Sequence, residues 1–95
     1  MERVQICKYI KNYSKIEKIQ IEHQVIYRAE ALLDDIFLSV VHIQPGQEDY
    51  SVKCQCSEII PDHAKSIMLF MYENSIDVGG FLDVLQELSV KYTEI

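Results

Sequence analysis

The sequence predicts an α+β domain: a three-stranded antiparallel meander packed by two C-terminal helices, with a short helix before it. Three observations carry this. Apolar residues alternate with a period of two between Lys18 and Ser57, Pro45-Gly46 interrupts two such runs, and beyond Pro61 the apolar spacing changes to three and four. Ninety-five residues suffice for a single hydrophobic core, so residues 1–95 are expected to form one domain.

Ile6, Tyr9, Ile10 and Tyr13 fall on one helical face, with Asn12 near a plausible end, which predicts a helix within residues 2–13. From Lys18 to Leu32 the odd positions Ile19, Ile21, His23, Val25, Tyr27, Ala29 and Ala31 are mostly apolar. The even positions, Ile26 and Leu32 excepted, are polar, as a strand requires. The run IFLSVVHI, Ile36 to Ile43, is apolar on both faces and reads as a central strand. QPGQED supplies a turn, and YSVKCQCS alternates again. A two-residue turn at Asp34-Asp35 places Leu32 opposite Phe37, Ala29 opposite Val40 and Tyr27 opposite His42.

Pro61 suits the first turn of a helix, where its missing N–H has no partner in any case, so a helix is predicted from Pro61 to Glu73, ending at Asn74-Ser75. A second helix starts near Asp77 and carries Val78, Phe81, Leu82, Leu85, Leu88 and Tyr92 on one stripe. Gly79-Gly80 in its first turn weakens it, and tight helix packing explains the pair more simply than a ligand against bare backbone.

Charge divides along the chain. Residues 1–18 hold five basic and two acidic side chains, net +3; the remainder holds four basic against thirteen acidic, net −9. An acidic body repels phosphate backbones, which argues against direct nucleic-acid binding and is compatible with a basic partner surface or with plain solubility. No apolar run is long enough to span a bilayer, and MERVQICKYIKNY is charged where a signal peptide is apolar, so a cytoplasmic protein away from membranes is expected.

Cys54, Cys56 and His63 are the one cluster with the residue types of a metal or thiol site. Strand geometry sets the two cysteines about 7 Å apart at Cα, unlike a Cys-x2-Cys knuckle, and His63 follows Pro61 in a helix. Buried, inert thiols are the plainer reading, with neither metal nor cofactor. His42 beside Tyr27 suggests a ring–hydroxyl hydrogen bond; a His42–Cys54 catalytic pair lacks an orienting acid. Nucleotide-binding and metalloprotease motifs are missing from the sequence, so a non-enzymatic role is expected.

SEIIPDHAKSIMLFMYENSIDVGGFLDVLQELSV, with Asn74 in its turn and Asp83-Val84 in its second helix, resembles the C-terminal half of small Firmicute domains of unknown function. The resemblance spans about half the chain and implies only the strands-then-helices order.

What remains is surface. The covered face of the sheet is expected to carry Leu38, Val40 and His42, and the reverse face carries Ile26, Leu32, Phe37, Val41 and Ile43, more apolar area than a solvated face usually shows. The N-terminal helix, a second copy of the chain or a partner would cover it. The function expected is a small acidic inhibitor or regulator of a larger bacterial protein, of a phage or mobile-element type, with an anti-defence or nucleic-acid-mimicking role; a homodimeric module or an immunity protein fits the same sequence. Contact residues would be Glu48, Asp49, Glu58, Asp83 and Glu87 for charge and Phe37, Val41 and Ile43 for apolar burial.

Overall fold

The computed structural model describes residues 2–95 and is organised around one antiparallel sheet whose five strands follow in sequence order: β1 (Val4–Tyr13), β2 (His23–Leu32), β3 (Asp35–Ile43), β4 (Tyr50–Cys56) and β5 (Thr93–Glu94). Helix α1 (Pro61–Glu73), a 3-10 turn (Val78–Gly80) and helix α2 (Phe81–Glu87) connect β4 to β5. The fold is thus mainly β with helices on one face, which overturns the expected three-stranded meander with an N-terminal helix.

Residues 4–13 form a strand because alternation serves them better than a helical stripe. Cys7, Tyr9, Lys11 and Tyr13 face the helices while Lys8, Ile10 and Asn12 face away, and all pair with β2. A bulge between Gln5 and Cys7 leaves Ile6 without a register partner and breaks the period-two pattern, so Ile6, Tyr9, Ile10 and Tyr13 mimic a helical face in sequence. The strand expected from Lys18 starts only at His23. Residues 14–22 make the β1–β2 connection, tightened by an Ile16–Gln20 bridge and a left-handed Lys18 (φ 64°).

The β2–β3 register also differs from expectation. Leu32 pairs with Asp35, Ala29 with Leu38 and Tyr27 with Val40, because the two turn residues are Leu33 and Asp34, not Asp34 and Asp35. The first of these has φ +57°, at the position a type II′ hairpin turn usually gives to glycine. A displacement of two residues keeps every side chain on its face, so the division into covered and reverse faces holds although the partners change.

The helices cover the face of Val25, Tyr27, Ala29, Leu38, Val40, Cys54 and Cys56. Ala64, Ile67, Met68 and Met71 of α1 join these residues, with Phe81 and Leu85 of α2 and Val90, to make one core. Helix α1 lies over β1 and β2, and the 3-10 turn lies over β3 and β4. Both helices end in the same way. Ser75 (φ 54°) and Ser89 (φ 58°) turn left-handed, and the amides of Ile76 and Val90 reach back to the carbonyls of Met71 and Leu85, at 3.0 and 2.9 Å. The second of these stops ends α2 at Glu87, so Tyr92 is not on the predicted helical stripe and the chain returns as β5 against Cys54 and Gln55.

Two side chains fasten the layers. The Tyr27 hydroxyl, on a completely buried ring, donates to the Ile76 carbonyl at 2.8 Å, and Lys11 donates to the Tyr72 carbonyl in the last turn of α1 at 2.9 Å. No helix among the described residues is long and apolar enough to cross a membrane.

Candidate interaction site on the open face of the sheet

With both helices on one side, the other side of the sheet is left open, and the register determines what it displays. One row across four strands is Lys8, Arg28, Ser39 and Lys53. On one side of it runs Gln5, Glu30, Phe37 and Gln55; on the other run Ile10, Ile26, Val41 and Ser51, then Asn12, Gln24 and Ile43. Phe37, Val41 and Ile43, expected on this reverse face, do lie there, and each is only partly buried. Leu32 shares the face at its far end, opposite Asp35. The N-terminal segment extends the sheet at its edge as β1 and does not cover the face.

A basic row is an unfavourable arrangement within a sheet, since Lys8 stands directly opposite Arg28. Glu30, in the adjoining row, pairs with Arg3 at 3.7 Å, and the guanidinium carbon of Arg3 also sits 3.7 Å from the centre of the Phe37 ring. The Nε of Arg28 is buried and has no hydrogen-bond partner. Beside it lies a depression of about 100 Å³ walled by Arg3, Arg28, Glu30, Phe37, Ser39 and Lys53, with Val41 and Ile95 at its margin. A second, wider cleft of about 400 Å³ opens at the end of the sheet between Asn12, Tyr13, Gln24, Ile43 and Pro45. The open face therefore combines apolar side chains with a row of cations and one buried donor, the Arg28 Nε, that lacks an acceptor.

The expected carboxylates do not join this face. Glu48 and Asp49 are exposed in the β3–β4 turn, whereas Glu58 lies beyond the other end of β4, roughly 20 Å away along a seven-residue strand, and pairs with Lys91 at 3.3 Å. Asp83 and Glu87 are exposed on α2. The eight residues picked from the sequence thus divide into an apolar group of three on the sheet and acidic residues at three separate places.

The thiol cluster is not assembled either. Cys54 and Cys56 are buried in the core at 0% and 1% exposure, while His63 is exposed in the first turn of α1. Among the described residues no three His, Cys, Asp or Glu side chains come together as metal ligands. Contact with the Cys56 thiol, followed by burial, pushes the Cys54 thiol far above the ordinary range, so it is held as a neutral thiol. His42 pairs with Tyr50 and Cys54 with Leu38, four residues away along β3, or about 13 Å, which separates the pair considered for catalysis.

The histidines instead enter a stack that the sequence did not suggest. Tyr13, His23, His42 and Tyr50 lie ring against ring at centroid separations of 4.3, 4.8 and 4.7 Å. His42 does not meet the Tyr27 hydroxyl; its Nδ1 lies 3.2 Å from both carboxylate oxygens of Asp77, and one of those oxygens accepts the Val78 amide at 2.7 Å. This ties the 3-10 turn to the end of the sheet.

Lys8, Arg28 and Lys53 are the members of the open face that sequence reasoning left out. Arg28 and Lys53 were visible as the polar positions of alternating strands. Lys8 was hidden by the helical assignment of β1, and without β1 the row has only two cations. No known protein family, curated protein or solved structure matches the chain.

Proposed function

We propose that this chain is a non-enzymatic protein-binding module, a small inhibitor or regulator that engages a larger protein through the open face of its sheet. The observation that carries this is the face itself, where Phe37, Val41, Ile26, Ile10 and Ile43 form an apolar surface that no helix covers. Four strands spaced about 4.8 Å apart and some seven residues of ladder give roughly 450 Å², about half of one partner's share of a standard interface. The contact therefore includes the rim, where Arg3 and Lys8 are exposed.

Self-association by the same face is disfavoured, because a two-fold pairing would bring the rows of Lys8, Arg28 and Lys53 against each other. The test uses the full chain as bait in a bacterial lysate, beside a Phe37→Glu/Val41→Glu variant and an Asp83→Asn control, with thermal melts confirming that each is folded. Specific capture by the wild type and the control, lost in the double variant, is the expected result. Equal capture by a folded double variant refutes the assignment of the face, and a concentration-dependent dimer in sedimentation that the same substitutions dissolve replaces it with self-association.

A further inference from the structure

Resting on that assignment of the open face, we infer that the row of Lys8, Arg28 and Lys53 is an anion-recognising centre whose occupant is an acidic segment of the partner protein. Its carboxylates would bind Arg28 and Lys53 over Ser39, and its apolar side chains would lie on Phe37 and Val41. This reverses the expectation from net charge alone. The chain as a whole carries −6, yet its exposed sheet surface holds a line of cations, so the partner surface that fits here is acidic.

Three independent features converge on one place. The first is the register, which aligns cations on β1, β2 and β4 with only the Ser39 hydroxyl between the last two. Like charges set side by side across strands cost stability, and the one carboxylate at the depression, Glu30, pairs with Arg3 at 3.7 Å, leaving the three cations of the row against that single acid. The second is the buried Nε of Arg28, a donor without an acceptor among the described residues. The third is the depression of about 100 Å³ alongside it, large enough for one carboxylate but not for an extended ligand. A guanidinium, an ammonium across the gap and a hydroxyl between them can grip a carboxylate through charge-assisted hydrogen bonds.

Nucleic acid satisfies the same cations less well. Single strands bind open sheets by stacking bases on aromatic rings; this face offers Phe37 alone, and the guanidinium of Arg3 already covers that ring. The surrounding acidic body also repels a polyanion more strongly than it repels a short segment with a few carboxylates. A segment that sets carboxylates beside apolar residues matches the face because its single cationic row is flanked by Phe37 on one side and by Ile10, Ile26 and Val41 on the other.

The experiment is a titration of isotopically labelled full-length protein followed by NMR, with an acetylated, amidated Glu-Val-Glu-Leu-Glu-Val-Glu peptide at millimolar concentration. The glutamate-to-lysine analogue of that peptide, a 15-mer oligothymidylate and inorganic phosphate serve as comparisons. The expected result is shifts centred on Lys8, Ser39 and Lys53 and on the Arg28 Nε–H, weakening about tenfold as salt is raised from low to several times physiological strength. Arg28→Gln should weaken the peptide by about tenfold or more, in line with loss of a charged hydrogen bond. The same variant should melt no lower than wild type at low salt, because it relieves the charge facing Lys8; a purely structural arginine would give a lower melt.

The inference is overturned if the acidic peptide causes no shifts on the row, if the lysine analogue causes equal ones, or if Arg28→Gln binds unchanged. Tighter binding of the oligothymidylate assigns the row to nucleic acid instead, and saturation by phosphate alone reduces it to a small-anion site. Should the peptide fail while Phe37→Glu/Val41→Glu still abolishes capture, the open face keeps its role as an interface and only the acidic chemistry assigned to its occupant is lost.

Discussion

Removing one oxygen atom tests how the helical layer is held to the sheet. In Tyr27→Phe the ring stays in place at the centre of the core, and the 2.8 Å hydrogen bond to the Ile76 carbonyl disappears, leaving that acceptor partly buried between α1 and the 3-10 turn. Loss of such a bond with its partner left behind costs about 1–2 kcal/mol, which lowers the melting temperature of a domain of this size by about 4–16 °C. High pH adds a second signature. Burial holds the Tyr27 hydroxyl well above its ordinary value, so it remains protonated in the fold at pH values where the unfolded chain ionises it. Its contribution to stability is complete below about pH 10 and declines above that by about 1.4 kcal/mol per unit, because there the unfolded state binds fewer protons than the native one. The phenylalanine variant has no such group, so its deficit against wild type should be full at pH 8 and close as pH rises past 10. Urea unfolding followed by circular dichroism at pH 8 and pH 11 measures both. An unchanged midpoint at pH 8, or a deficit that stays constant to pH 11, would refute the account of Tyr27 as a neutral, buried clamp.

Two further outcomes follow from backbone and thiol geometry. Ser75 ends α1 at φ 54°, a conformation that costs residues other than glycine on the order of 1 kcal/mol, so Ser75→Gly should raise the melting temperature by about 4–8 °C; a fall would mean that the Ser75 side chain makes a compensating contact. Cys7, Cys54 and Cys56 are all buried in the core, so an aromatic disulfide reagent cannot reach them and should release almost no thiol from native protein and three equivalents in denaturant. Rapid native reaction of even one of them would contradict the packed core.

Much of the chain was legible because binary pattern is local. The alternation through β2 and β4, the doubly apolar β3, the Pro-Gly turn and the Pro61 start of α1 can each be read from a few neighbours, and the side of the sheet that would face the helices followed from them. The errors arose where one residue changes the local rule. A bulge at Ile6 disguised β1 as a helical stripe, a positive φ at Leu33 moved the hairpin register by two, and the left-handed Ser89 ended α2 early and released β5.

The candidate site lies at the boundary between these cases. Sequence alone determined that Phe37, Val41 and Ile43 share a face, since side chains two apart on a strand point the same way, and that Cys54 and Cys56 point together into packing. Only the tertiary structure decided that Lys8, Arg28 and Lys53 stand in one line and that the face they cross is left open. Their alignment depends on pairings between residues 11 to 20 positions apart in the chain, set by strand order and turn geometry. Periodicity specifies which way a side chain points, but its neighbours across the sheet are specified by register, and register is a property of the assembled strands.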